Sequence, residues 1–133
     1  MRLLLVPLLF ALHVVEARAA LIINSVTLNG AASVMVAPSA NITASVNETN
    51  TGGSNWRSTR FTTSPASTTQ CVDHANRDGN GTGSIAFTIA APSVEGTYDA
   101  IFMASSNNGC GATTSALFAV PGGIVVNAPP TVS

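Results

Sequence analysis

Beyond residue 20 the chain alternates apolar and polar positions with a period of two, the pattern of strands that bury one face. Residues 22–28 place Ile22, Val26 and Leu28 on one face. They lead into Asn29-Gly30, a pair suited to a two-residue hairpin turn. Residues 33–36 form a short second piece ended by Pro38, and residues 41–47 alternate with Ile42, Ala44 and Val46 inward. The Gly-rich stretch 49–55 predicts a loop, 56–63 a strand, and Ser64-Pro65-Ala66-Ser67 a turn into a short returning partner at 68–72. Residues 73–83 are polar throughout and predict a long loop. Residues 84–90 give the clearest strand, with Ile85, Phe87 and Ile89 alternating. In 97–105, Tyr98, Ala100, Phe102 and Ala104 share one face and Ile101 and Met103 the other, as in the middle of a sheet. A polar loop at 106–111 and a final strand at 113–126, kinked at Pro121-Gly122-Gly123, complete the series. No segment after residue 20 carries a 3.6-residue stripe. Seven to eight short strands at this spacing predict an all-β Greek-key sandwich.

The front of the chain follows a different rule. Met1-Arg2 opens an apolar run at 3–15, broken by Pro7 and His13 and closed by Glu16 and Arg18. The run is shorter than the roughly 20 residues of a spanning helix, and Ala17-Arg18-Ala19 is a small-x-small cleavage pattern. Residues 1–19 therefore read as a secretory signal peptide, with an uncleaved N-terminal anchor as the alternative. The working protein then starts near Ala20, with one domain at 20–127 and a proline-rich linker or tail at 128–133. Its predicted place is secreted, extracellular or at the cell surface, the periplasm included, with no membrane insertion once the signal is removed.

Composition narrows the function classes. Only 8% of residues are charged, and 46% are apolar, many of them Ala. The chain has no Lys; after residue 19, Arg57, Arg60 and Arg77 stand against Glu48, Asp73, Asp78, Glu95 and Asp99. A basic field that could neutralise phosphates is missing, which argues against nucleic-acid binding and against docking to anionic membranes.

Few residues offer chemistry. Cys71 and Cys110 are the only cysteines. In an exported chain an even count predicts a disulfide. If 68–72 folds back beside the strand at 56–63, Cys71 returns to that strand's starting end, where the loop holding Cys110 also lies. A nucleophilic Cys110 is the weaker reading, since a second cysteine stands ready to oxidise it. His74 is the one histidine outside 1–19, which leaves no multi-histidine zinc motif. Asp73-His74 with a serine lacks a Gly-x-Ser-x-Gly elbow, so His74 reads as a solvated loop residue. Asn76-x-Asp78-Gly79 resembles the middle of a calcium loop, yet His74 and Ile85 stand where carboxylates are needed, so a plain turn is expected and no metal or cofactor is predicted, with a weak calcium ion held by Asp73, Asp78 and backbone carbonyls as the alternative. Asn-x-Ser/Thr sequons at Asn41, Asn47 and Asn80 carry weight only in a eukaryotic secretory pathway. Trp56, the sole tryptophan, is expected to anchor the core rather than to form a sugar-stacking platform. Tyr98, two residues after Gly96, sits as a tyrosine-corner residue whose hydroxyl would bond to backbone across the turn.

The ordered set Ser25-Val26-Thr27-Leu28-Asn29-Gly30, Val36-Ala37-Pro38-Ser39-Ala40-Asn41-Ile42-Thr43-Ala44-Ser45-Val46, Asn55-Trp56-Arg57-Ser58-Thr59, Cys71-Val72, Ala91-Pro92, Gly96-Thr97-Tyr98 and Asn107-Asn108-Gly109-Cys110 resembles the immunoglobulin-like repeats of bacterial secreted and cell-surface proteins. The resemblance covers almost all of the chain after residue 20. It implies an immunoglobulin-like β-sandwich used as a non-catalytic spacer or adhesion module. The partners it implies are adjacent immunoglobulin-like domains or an extracellular protein or glycan, and it supplies no catalytic residue. The alternative is a small secreted carbohydrate- or protein-binding module using the loops 49–55, 73–83 and 105–111 at one end of the sandwich.

Overall fold

The computed structural model describes residues 20–130; the expected signal peptide at 1–19 lies outside the described residues, as do residues 131–133. Eight strands follow in order: β1 (Ala20–Leu28), β2 (Val34–Val36), β3 (Asn41–Thr51), β4 (Asn55–Ser64), β5 (Thr69–Asp78), β6 (Gly81–Ala90), β7 (Gly96–Ser105) and β8 (Phe118–Val126), with one 3-10 turn at Asn108–Cys110. They form two sheets, β1-β3-β6 and β2-β8-β7-β4-β5. The chain passes between sheets at β1 to β2, β2 to β3, β3 to β4, β5 to β6 and β6 to β7, the Greek-key plan of a β-sandwich. Every pairing is antiparallel except that of β2 with β8.

The period-two pattern builds this directly except in β1, where the bulge between Ile23 and Ser25 shifts the phase, so that Leu21 and Ile23 are buried with Val26 and Leu28 while Ile22, expected on their face, is exposed. Ile42, Ala44 and Val46 of β3 and Ile89 of β6 face Trp56, Phe61, Ala100, Phe102 and Ile124 of the other sheet, all fully buried. Phe61 and Phe102 are cross-strand partners with ring centroids 5.4 Å apart. The Asn29-Gly30 turn has positive φ at both residues, +50° and +81°, and Leu28 and Ala31 exchange both backbone bonds around it.

Several boundaries differ from those predicted. β3 continues past residue 47 to Thr51, which reduces the predicted loop 49–55 to residues 52–54. The predicted loop 73–83 is instead the second half of β5, a two-residue turn and the start of β6. Its polarity misleads because one face of β5 lies in solvent, and because the strand changes phase midway. Gln70, Val72 and His74 turn inward, then Arg77, while Ala75 and Asn76 are both exposed. That slip is a bulge between the Trp56–Arg77 and Ser58–Asp73 pairs. The last strand begins at Phe118 rather than at 113, and the kink at 121–123 coincides with a register shift opposite Asp99.

Candidate functional site

Two polar constructions depart from an ordinary sandwich: a cap over the outer face of the five-stranded sheet, and a row of polar side chains inside it.

The cap is the segment after β7. Its 3-10 turn folds onto β4 and β5, and Cys110 bonds to Cys71, with Cα atoms 6.0 Å apart. Cys71 does not return to the starting end of β4: it pairs with Arg60, partway along that strand, because β5 runs ten residues rather than five. The cap reaches it by crossing the sheet. Ser58 lies beneath, fully buried. Its hydroxyl donates to the Asn107 carbonyl and accepts from the Cys110 amide at 3.0 Å. Asp73 accepts from the Gly109 amide at 2.8 Å. A serine, an aspartate and the disulfide thus serve to pin one loop.

The interior row begins at Trp56, which is fully buried. Its indole N–H donates to Thr59 Oγ1 at 2.9 Å. Thr59 Oγ1 lies 3.0 Å from His74 Nε2, and His74 Nδ1 lies 3.1 Å from the Ala75 carbonyl. A carbonyl only accepts, so Nδ1 carries the proton. In the neutral ring Nε2 then accepts from the Thr59 hydroxyl. His74 is therefore no solvated loop residue. It sits on β5 with its ring edge-on to Trp56 at 4.7 Å and stacked on Phe87 at 5.9 Å. Burial lowers its pKa, against a smaller opposing pull from the Ala75 carbonyl and Asp73.

Further along β3, Glu48 and Asn50 also point inward, both essentially buried. Among the described residues neither carboxylate oxygen of Glu48 has a hydrogen-bond partner. Its nearest cation is Arg77 Nη1 at 4.0 Å. Desolvation raises the Glu48 pKa to about 7, and the Arg77 charge pulls the other way. The Asn50 carboxamide donates to the Arg77 carbonyl at 3.1 Å. Nothing but continued alternation past residue 47 signals these two side chains in the sequence.

At the far end, the Tyr98 hydroxyl donates to the Val94 carbonyl at 2.8 Å, four residues back across Gly96. Asp78 accepts from the Asn76 side chain at 2.6 Å, and Asn80 accepts from the Gly53 amide at 2.8 Å, so two of the three predicted binding loops are short turns tied to each other. No cluster of three or more His, Cys, Asp or Glu side chains gathers among the described residues. No helix there is long and apolar enough to cross a membrane. No family model matches the chain, and neither does a curated protein or a solved structure.

Proposed function

We propose that this is a non-catalytic, secreted immunoglobulin-like module that serves as a structural spacer or adhesion domain of a bacterial extracellular or cell-surface protein. The observation that carries the reading is the path of the chain. Ala20 stands opposite Thr51, at the pole of the β3–β4 turn. Val126 stands opposite Gly96, at the other pole, beside the β6–β7 connection. The domain is thus threaded from end to end, the geometry that lets modules join in a line.

The outgoing segment is also held firmly. The Asn127 amide donates to the Val36 carbonyl at 2.9 Å, the Ala128 amide donates to Glu95 at 2.6 Å, and Pro129-Pro130 follows. A strand that leaves through two bonds into a stiff dipeptide sets the direction of what it joins. The polar residues a hydrolase would need are engaged in structural bonds: Ser58 and Asp73 under the cap, His74 between Trp56 and Phe87.

The test is small-angle scattering of two copies of 20–133 joined in tandem. An elongated pair with its two modules end to end is expected. A compact, side-by-side pair, or one with no fixed separation, contradicts the spacer reading.

A further inference from the structure

β6 pairs with β3 in unbroken register from Asn41–Ala90 to Asn50–Gly81, and no strand among the described residues pairs with its other side. Two bonds fix which way its backbone groups point. Gln70 Nε2 donates to the Thr88 carbonyl at 3.3 Å, and the Ala90 amide donates to Gln70 Oε1 at 3.2 Å. The Gln70 carboxamide, reaching over from β5, stands where the peptide group of a neighbouring strand would stand. The N–H and C=O of one residue point to the same side, and the side alternates along a strand. Thr82, Ser84 and Ala86 therefore present their backbone groups outward as Thr88 and Ala90 do, without a Gln70 to meet them. All three are exposed, and Gly83 and Ile85, which face the interior, are only partly buried. The edge is open.

The other three sheet edges are blunted in ways that oppose strand addition. β2 has three residues. β1 is bulged between Ile23 and Ser25. β5 is bulged and carries Asp73, Arg77 and Asp78. β6 has no charged residue, no proline and no bulge.

We propose that the open edge of β6, residues 82–86, pairs antiparallel with the same edge of a second copy of this chain, about a twofold axis at Ser84. Two three-stranded sheets then become one of six strands. Antiparallel pairing of a strand with itself is a closed, self-complementary contact. Ser84 faces its own copy and Thr82 faces Ala86, all small. The outward positions of β3 beside this edge, Thr43, Ser45, Asn47 and Thr49, are uncharged as well, and the formal net charge is −1, so like-charge repulsion is slight. Gln70 closes the edge beyond Ala86, which keeps the contact short and the association weak. The inference stands on the edge itself and holds whether or not the module is a spacer.

Sedimentation velocity on the chain, from roughly 5 µM to roughly 1 mM, where weak contacts of this size assemble, reads the outcome. A reversible dimer is expected. Ser84→Pro removes an outward amide while leaving the β3 ladder its bonds, and Ala86→Lys sets a charge on the edge. Each should raise the dimer Kd at least about tenfold, whereas Ser84→Ala, which keeps the amide, should not. Ala86→Lys decides the matter if Ser84→Pro does not fold. A wild-type chain that stays monomeric over the whole range overturns the proposal, and so does a dimer indifferent to Ala86→Lys.

Discussion

The guanidinium of Arg77 occupies the space that a side chain at Gly83 would fill. A Cβ built there meets the Arg77 Cζ and both Nη atoms at far less than contact distance. Gly83 is the cross-strand partner of Glu48, so the bare backbone of β6 is what lets a cation from the other sheet approach a carboxylate buried on β3. Gly83→Val should push Arg77 away and leave Glu48 alone in the interior. A loss of about 1–3 kcal/mol is expected in urea unfolding, the range for leaving a buried polar group without its partner, since the flexible end of Arg77 can swing aside. Arg77→Ala alone should give a loss of similar size, since it too takes the cation away from Glu48. Equal stability of wild type and Gly83→Val would remove Arg77 from its assigned place.

Glu48 and His74 give stability opposite slopes with pH. Glu48 has a folded pKa near 7, above its ordinary 4.5, so its folded form takes up the proton more readily. Its contribution is fully present below about 4.5 and is lost as pH rises through about 7. His74 has a lowered folded pKa, so its contribution is present above its ordinary 6.5 and is lost as pH falls through the folded value. Glu48→Gln should abolish the loss between pH 5 and 8 and leave the acid limb intact. His74→Phe should flatten the acid limb alone. Melting temperatures over that range check both, and a Glu48→Gln profile superimposable on wild type contradicts the first.

Removing the disulfide should loosen the cap as well as the unfolded chain. The closed loop separates its ends by 39 positions, for which the chain-entropy account gives about 3–4 kcal/mol. Cys71→Ala with Cys110→Ala should lower the melting temperature by several degrees or more. It should also speed amide exchange at Gly109 and Cys110, whose amides bond to Asp73 and Ser58. Unchanged exchange there would mean that the hydrogen bonds hold the cap without the sulfurs.

Trp56 has two roles that substitutions can separate. Trp56→Ala should cost about 3–5 kcal/mol by opening a cavity between the sheets. Trp56→Phe keeps most of the bulk but removes the donor to Thr59, and should cost about 1–2 kcal/mol. Tryptophan fluorescence of the native chain should be blue-shifted relative to the free amino acid, since the ring is fully buried.

The parts legible in the sequence are those where one physical rule acts alone. Ile85, Phe87 and Ile89 alternate cleanly and form a strand. Asn29-Gly30 requires positive φ twice and makes the turn. Two cysteines in a small β domain pair. The misread parts are those where two rules compete. Residues 73–78 are polar because β5 is a sheet edge, and their alternation breaks at the bulge, so a strand looks like a loop. Glu48 and Asn50 continue the inward series of Ile42, Ala44 and Val46, but their polarity hides the continuation. Gln70 closing the edge of β6 has no local sequence signature, since its partners Thr88 and Ala90 lie 18 and 20 residues away.

The end-to-end threading has a mechanical consequence. A pull on the two termini acts along the strands, and β1 and β8 carry it first. The β1–β3, β2–β8 and β7–β8 ladders run along the direction of pull with their hydrogen bonds across it, so those bonds are loaded side by side in shear rather than peeled in turn. Once those ladders fail, the span from Cys71 to Cys110 still cannot lengthen, because the covalent bridge carries the tension past it. In the proposed spacer role, the domain would act as a stiff link with a limited reserve of extension.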